Sequence, residues 1–355
     1  MSRPGQGFAS IAKGLSVLAL CCVTMGIVPA LASDAPDCVE GAVQLPLLGG
    51  MGDAPVLPAT LEGRPVAVYF SPGFDRFYVG NMNGFDTTDT RLSAHVTING
   101  VHSETYPIIR AGHFRLGPID MGTPDMIQQV DYPPQQIGKT PLIGVMGFNS
   151  FEHLSVLLDM PHGIFALIRF RRDETCKEAP SALMGHGTYS VPLQEKTLIP
   201  VSVGGTLRDF TLDPDVPVTT LPAKWLPPGG DMSRNITGHD GVALYGSLRS
   251  HIVPITGVRM NIGDLHLDRM TVYAQDDLTM GLLGMDFFQS HIALIDYPGN
   301  RVYFLPSTAR IARPGANLHF DRFRVGHARV THAPKDPNRS HTDWPLTPAY
   351  QGQPG

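Results

Sequence analysis

Apolar and polar residues alternate in short runs along most of the chain, which is the period expected of β-strands that bury one face. Turn sequences rich in Gly, Asn or Asp interrupt these runs, so that neighbouring runs pair into predicted hairpins. The hairpins are predicted at 55–70 around Glu62-Gly63, 95–102 around Asn99-Gly100, 200–212 around Gly204-Gly205 and 258–274 around Gly263-Asp264. A short helix is predicted at 221–225. The pattern indicates a mostly β protein.

An apolar strand that runs into a tight turn occurs twice, at 66–75 and at 210–222. Aligned without gaps, Ser71 falls on Asp213 and Pro72 falls on Pro214. The second copy delivers a carboxylate onto its turn, whereas the first copy delivers a hydroxyl.

A second pair of similar stretches follows in the same order. Residues 144–151 align without gaps on residues 281–288, and each block leads into a strand that ends in an acid, Asp159 or Asp296. Two landmarks that repeat in the same order indicate an internal duplication.

Composition narrows the class of protein. A chain of 355 residues favours two domains, and its 38 Gly and 32 Pro favour many turns over long helices. The formal net charge is -5, without a long run of one sign, so the sequence predicts no nucleic-acid partner.

The first residues have the pattern of an export signal. Arg3 and Lys13 precede an apolar run at 15–28, and an Ala-x-Ala site stands before Ser33. The run is short for a membrane span. We therefore expect residues 1–32 to be removed, no membrane span in the mature protein, and a periplasmic or secreted location.

Two cysteines, Cys38 and Cys176, remain after the predicted cleavage. In an oxidising compartment they pair more often than not, so a disulfide is favoured over two free thiols. The remaining segments are predicted as a first lobe (33–172), a linker (173–190), a second lobe (191–306) and a disordered tail rich in Pro and His (307–355).

Each half resembles a lobe of the retropepsin- and pepsin-like aspartic peptidases, and the whole is similar to the exported bacterial type with two lobes in one chain. In that family a strand ends in Asp-Thr-Gly-Ala, and an apolar-apolar-Gly strand passes beside the acid-bearing loop. The second element is intact in both halves, at 145–147 and 282–284. The resemblance implies two pseudo-symmetric lobes with a cleft between them. It predicts that Ser71 and Asp213 face each other across the interface of the lobes, with Gly147 and Gly284 close beneath them. It also implies a polypeptide ligand or protein partner, no cofactor, and a monomer.

The acid motifs depart from the family pattern. The first reads Ser71-Pro72-Gly73-Phe74 and the second reads Asp213-Pro214-Asp215-Val216. The family's reaction needs two carboxyl groups that share one proton, and a serine hydroxyl does not titrate in the working range. Proline also supplies neither the hydroxyl nor the N–H that would lock the loops. Asp213 is therefore a remnant acid.

Asp75 and Asp215 are the candidate substitutes for the lost acid, although Asp is also an ordinary turn residue. Gly73 belongs to the predicted cleft, and the turn Gly238-His239-Asp240-Gly241 is suited to the tip of a flap over it. The histidines are scattered, so no metal site is predicted.

Three functions remain open from the sequence. The first is an aspartic-peptidase-like protein that has lost its chemistry and keeps a peptide-binding cleft. The second is an active aspartic endopeptidase with an atypical site centred on Asp213. The third is a structural protein of the cell envelope.

Overall fold

Hairpins of short strands build most of the protein, as the alternating pattern predicts. The computed structural model describes residues 38–80, 82, 84–98, 102–129, 134–225, 252–275, 278–316, 318 and 329–332. Strands far outnumber helical turns within these residues. The prediction of a mostly β fold is therefore confirmed.

The first half of the chain supplies β1 to β13. The strands are β1 (Val39–Pro46), β2 (Val56–Leu61), β3 (Arg64–Phe70), β4 (Phe77–Val79), β5 (Thr87–Ile98), β6 (His102–Ala111), β7 (Phe114–Leu116), β8 (Ile119–Asp120), β9 (Asp125–Gln128), β10 (Gln135–Ile137), β11 (Thr140–Met146), β12 (Ser155–Asp159) and β13 (Ile164–Phe170). A 3-10 turn, Phe148–Ser150, lies between β11 and β12.

The second half supplies the remaining elements. The strands are β14 (Tyr189–Pro192), β15 (Leu198–Val203), β16 (Thr206–Leu212), β17 (Thr220–Pro222), β18 (Ile252–Ile262), β19 (Leu265–Gln275), β20 (Gly281–Leu283), β21 (His291–Asp296), β22 (Arg301–Pro306) and β23 (Arg329–His332). The helical elements are a 3-10 turn at Glu174–Cys176, α1 (Ala179–Met184), a 3-10 turn at Ala223–Trp225 and α2 (Met285–Phe288).

Three sheets arrange these strands into two lobes. The first lobe is an 11-stranded sheet in the order β23-β5-β6-β9-β4-β11-β3-β2-β7-β8, with β10 paired to β11. The second lobe is a closed barrel in the order β15-β16-β20-β17-β19-β18. A 6-stranded sheet, β1-β13-β12-β21-β22-β14, joins the lobes and takes half of its strands from each half of the chain.

The hairpin turns have the backbone geometry that their sequences predict. Glu62 and Gly63, between β2 and β3, have φ angles of 54° and 74°. Gly204 and Gly205, between β15 and β16, have φ angles of 57° and 87°. Positive φ at both central residues suits a two-residue turn to the twist of its strands. The predicted turn at 99–100 lies outside the described residues, although β5 and β6 pair with each other.

The joining sheet relates the two lobes by an approximate two-fold axis. β12 and β21 pair antiparallel and place Leu157 opposite Leu294, which are aligned positions of the two sequence repeats. An axis that exchanges the halves must therefore pass between these two residues. The lobes are pseudo-symmetric, as the duplication predicts.

The symmetry extends to the outer strands of the joining sheet. The Leu47 N–H donates to the Gly163 carbonyl, and the Leu193 N–H donates to the Asn300 carbonyl, both at 2.8 Å. Gly163 and Asn300 are again aligned positions. The same hydrogen bond thus anchors β1 beside β13 and β14 beside β22.

Most buried apolar side chains form one cluster that extends through both lobes. A smaller cluster lies on the joining sheet and contains Cys38 and Cys176. These cysteines form a disulfide with a Cα–Cα distance of 5.4 Å, as predicted. The bond fixes the start of β1 to the segment between the lobes, and α1 packs in the same cluster.

The prediction of a disordered tail from residue 307 is wrong for the part that the structure describes. Residues 307–316 and 318, which we call the return segment, run back onto the first lobe. β23 then pairs with β5. Disorder was predicted because this segment is rich in Pro, His and Arg and lacks apolar periodicity. Backbone N–H groups of the segment instead donate hydrogen bonds to Asp53 of the first lobe.

Other predictions lie wholly or partly outside the described residues. The export signal (1–32) and the flap turn (238–241) are among the residues that the structure does not describe. The predicted linker (173–190) contains α1 and the first residues of β14. Within the described ranges, no helix is long and apolar enough to cross a membrane.

The disulfide predicts a measurable loss of stability on reduction. Cys38 and Cys176 are 138 residues apart in sequence. Closing a loop of that length stabilises the folded state by about 4–5 kcal/mol in the chain-entropy model. We expect Cys176→Ser to lower the free energy of unfolding by an amount approaching this value. Denaturant unfolding of the oxidised, reduced and variant proteins measures it, and mass spectrometry of the unreduced protein should detect no free thiol at either cysteine.

Candidate functional site

The loops after β3 and β16 meet at the interface between the lobes. Ser71 follows β3 directly and Asp213 follows β16 directly. The Ser71 hydroxyl donates a hydrogen bond to Asp213 Oδ1 at 3.0 Å, and both residues are 0% exposed. The two aligned positions of the sequence repeats are therefore in direct contact, so the two-fold axis passes between them as well.

Each loop is held by the apolar-Gly strand of its own lobe. β3 runs parallel to β11, and β16 runs parallel to β20. Equivalent backbone bonds then fix the loops. In the first lobe the bonds are Ser71 N–H to Met146 O (3.1 Å), Phe74 N–H to Ser71 O (3.2 Å) and Phe148 N–H to Phe74 O (2.9 Å). In the second lobe the equivalent bonds, in the same order, are Asp213 N–H to Leu283 O (3.0 Å), Val216 N–H to Asp213 O (3.1 Å) and Met285 N–H to Val216 O (2.8 Å).

Gly147 and Gly284 lie against these loops without room for a side chain. A Cβ atom on Gly147 would be 2.5 Å from the Phe74 carbonyl oxygen. A Cβ atom on Gly284 would be 2.3 Å from the carbonyl carbon of Val218. The backbone of each apolar-Gly strand therefore packs directly on the loop, which only glycine permits at this distance.

The two loops are closed differently. In the first lobe the Gly147 N–H donates to a backbone carbonyl, that of Arg76, at 2.9 Å. In the second lobe the Gly284 N–H donates to the side-chain hydroxyl of Thr219 at 3.1 Å. That hydroxyl in turn donates to Asp286 Oδ1 at 2.7 Å. A side-chain relay thus replaces the backbone contact of the first lobe.

Asp286 is a site residue that the sequence analysis did not identify. Its Oδ1 accepts three hydrogen bonds, from the Thr219 N–H, the Thr219 hydroxyl and the Phe287 N–H. Burial raises the pKa of Asp286 above its usual value, although the hydrogen bonds from Thr219 partly offset this effect. The available signal was its alignment with Asn149, a second short polar residue within the repeated apolar block.

The candidate substitute acids lie in different surroundings. Asp75 accepts a hydrogen bond from the Tyr78 hydroxyl at 2.8 Å and lies 4.0 Å from the Arg76 guanidinium. These partners lie in its own loop and on β4 of the same lobe. Asp215 is fully buried two residues beyond Asp213 in the second loop. Position therefore favours Asp215 over Asp75 as a second acid near Asp213.

The other residues predicted for the site are Gly73 and the four residues of the flap turn. Gly73 lies between Ser71 and Phe74 in the first loop, and the flap residues Gly238, His239, Asp240 and Gly241 are outside the described residues. Within the part of the chain that the structure describes, no group of three or more His, Cys, Asp and Glu side chains could hold a metal ion.

The contact between Ser71 and Asp213 predicts a selective loss of stability. Ser71→Ala removes the hydroxyl donor from a buried carboxylate, which typically costs about 1–3 kcal/mol. Ser150→Ala is the matched control, because the equally buried Ser150 hydroxyl has no hydrogen-bond partner among the described residues. We expect the control to unfold at nearly the wild-type denaturant concentration. Equal losses in the two variants would contradict the predicted contribution of the bond.

The raised pKa of Asp286 predicts a pH dependence of stability. A carboxyl group with a raised pKa in the folded state stabilises folding fully below its ordinary pKa of 3.8, and that contribution is lost as pH rises through the folded pKa. Asp286→Asn keeps an oxygen at the Oδ1 position and cannot ionise. We expect its stability relative to wild type to increase as pH rises above about 4.

Denaturant unfolding at a series of pH values tests this expectation. Asp286→Ala serves as the control, because it removes the acceptor of all three hydrogen bonds and should destabilise the protein at every pH. A constant difference between wild type and Asp286→Asn across the series would show that Asp286 ionises normally in the folded protein.

Comparison with known proteins finds similar chains among solved structures. No protein-family model matches the chain, and no curated protein matches it. Among solved structures, the aspartic proteinase from Irpex lacteus is similar with a TM-score of 0.47 and 11% sequence identity, over 76% of this chain and 98% of that chain. At these values the likeness assigns neither a family nor an activity to this chain.

Proposed function

We propose that this chain is an exported protein of aspartic-peptidase type that has lost the peptidase reaction and binds a polypeptide between its lobes. The observation that carries this proposal is the asymmetric pair at the two-fold axis. Ser71 and Asp213 occupy equivalent positions and are joined by a hydrogen bond of 3.0 Å. Where the peptidase reaction needs two acids, this protein has one acid and one hydroxyl.

The chemistry of the pair argues against peptide hydrolysis. In the two-acid mechanism an ionised carboxyl group activates water while its protonated partner polarises the peptide carbonyl. The Ser71 hydroxyl cannot take or hold the shared proton over the working pH range. Losing general acid–base catalysis costs about 10²–10⁴-fold in rate.

Burial supports the same conclusion. Ser71 and Asp213 are both inaccessible to solvent, whereas hydrolysis needs a water molecule in contact with the acid. The hydroxyl donates to Asp213 Oδ1 and so satisfies a buried polar atom, which is costly to leave without a partner. The pair therefore acts as a structural contact between the lobes.

An active endopeptidase is the second candidate, and one observation favours it. Asp215 lies two residues beyond Asp213 and brings a second acid into the same loop. In this case Asp213 and Asp215 would form the acid pair within one loop, without a contribution from Ser71. The proline at position 214 restricts how the two side chains can turn towards each other.

The proposal also includes the location of the protein and the kind of ligand that it binds. The disulfide between Cys38 and Cys176 suits a protein that folds outside the reducing cytosol. The ligand is a polypeptide segment or protein partner, the protein is a monomer with an internal two-fold axis, and no cofactor takes part. A structural envelope protein would instead show no affinity for extended peptides, so a peptide-binding measurement separates these two functions.

The proposal predicts that the wild-type protein does not cleave peptides. We expect wild type and Asp213→Asn to show the same background cleavage of an unstructured protein substrate, from acid to neutral pH. Cleavage with an acidic optimum that Asp213→Asn abolishes would overturn the proposal in favour of the active peptidase. Asp215→Asn would then test whether Asp215 supplies the second acid.

A gain-of-function variant provides the complementary test. Ser71→Asp alone should not give full activity, because the prolines at 72 and 214 and the acid at 215 remain. Combining Ser71→Asp with Pro72→Thr, Pro214→Thr and Asp215→Gly rebuilds the Asp-Thr-Gly part of both family motifs. We expect this combined variant to acquire cleavage with an acidic pH optimum. Its Asp213→Asn derivative is the matched control.

A further inference from the structure

The return segment follows β22 of the joining sheet and lies along residues 47–54, which lead into the first lobe. The Met51 N–H donates to the Arg313 carbonyl at 3.0 Å. The Arg313 guanidinium donates to the Gly49 carbonyl through Nε at 2.5 Å and to the Leu47 carbonyl through Nη2. Backbone and side chain of the return segment therefore both bind the backbone of the first lobe.

Asp53 is the anchor for the return segment. Its carboxylate is 3% exposed and accepts the Ala316 N–H at 2.9 Å and the Leu318 N–H at 2.7 Å. It also accepts the Gly50 N–H of its own loop at 2.8 Å. The Ala54 N–H completes the contact by donating to the Leu318 carbonyl at 2.5 Å. Hydrogen bonds to a charged acceptor are stronger than those between neutral groups.

The two backbones approach so closely that each needs a glycine. A Cβ atom on Gly50 would be 2.3 Å from the Pro314 carbonyl oxygen. A Cβ atom on Gly315 would be 2.1 Å from the Met51 carbonyl oxygen. Any side chain at either position must push the return segment off the first lobe.

The anchored region connects directly to the Ser71 loop. The Pro55 carbonyl, two residues beyond Asp53, accepts the Phe70 N–H at 2.9 Å, and Phe70 immediately precedes Ser71. The return segment therefore supports the strand that positions the first-lobe half of the site.

The second lobe has the same strand contact but a different support. The Thr197 carbonyl accepts the Leu212 N–H at 3.1 Å, at the position equivalent to Pro55 and Phe70. Thr197 is held by a local turn, in which its N–H donates to the Gln194 carbonyl at 3.1 Å. The first lobe thus depends on a segment from the other end of the chain where the second lobe depends on its own neighbours.

We propose that the return segment is a releasable latch, with Asp53 as its anchor, and that its attachment fixes the Ser71 loop of the first lobe. Residues 312–314 are exposed, and Leu318 is the main buried side chain of the segment, at 7% exposure. Release therefore breaks a small set of hydrogen bonds and uncovers one leucine, while the sheets remain intact. The proposal concerns conformation alone and holds whether or not the site binds peptides.

Hydrogen exchange of the full chain, followed by mass spectrometry, tests the latch. Gly315→Ala displaces the return segment. We expect exchange to rise about tenfold or more in residues 47–56 and 66–74, because losing one charged hydrogen bond has an effect of that size on local opening. Gly41→Ala is the matched control, since a Cβ atom there meets nothing within 4 Å. Its exchange should match wild type.

The second lobe provides an internal control. Residues 208–216 are equivalent to 66–74, and their exchange should not change when the latch is released. A rise confined to the return segment would overturn the proposal, as would equal rises in both lobes.

If Gly315→Ala does not fold, the milder Arg313→Gln decides the question. Arg313 is exposed, and its loss should give the same pattern to a smaller extent. No increase at 66–74 in that variant would also overturn the proposal.

Discussion

The antiparallel pairing of β12 with β21 is the constraint on which the rest of the structure depends. It places Leu157 opposite Leu294 and so defines one point on the axis that exchanges the lobes. The contact between Ser71 and Asp213 defines a second point on that axis. Side chains alternate between the two faces of a sheet. A shift of one residue in this pairing would therefore turn the buried face of the joining sheet outward and misalign the loops that carry Ser71 and Asp213. The position of the site thus follows from the register of two strands.

The joining sheet also contains a buried acidic residue, Asp296, whose carboxyl group has hydrogen-bond partners from the first half of the chain. Asp296, at the end of β21, is nearly inaccessible to solvent and accepts hydrogen bonds from the Ser155 hydroxyl at 2.8 Å and from the Arg172 guanidinium at 2.8 Å. This pairing raises the pKa of Arg172. Its aligned counterpart, Asp159, binds His162 instead. Asp296 is buried, whereas 41% of the Arg172 side chain is exposed, so this ion pair is only partly buried. It links the two halves of the chain through its hydrogen bonds.

A symmetric scaffold therefore carries an asymmetric site. The backbone bonds of the two loops match closely, yet the side chains at the axis are a hydroxyl and a carboxylate. The first loop is closed by a backbone carbonyl and supported by the return segment, whereas the second is closed by Thr219 and Asp286. Folds of one architecture support different functions through differences of this kind. The chemistry of this protein must be sought in those differences.

The sequence by itself determined the strands, their hairpin turns and the duplication, because these depend on local periodicity and on short glycine-containing turns. It also identified the cysteine pair and the equivalence of Ser71 with Asp213, since gapless alignment of the two repeats needs no coordinates. The repeat also predicted that these two residues face each other. Only the tertiary structure revealed their direct hydrogen bond and complete burial, because distance and burial depend on how the lobes join. The relay from Thr219 to Asp286 and the attachment of the return segment to Asp53 were likewise unpredictable. In the latter, backbone N–H groups meet a carboxylate 263 residues away in sequence, and neither hydrophobic pattern nor composition records such a contact.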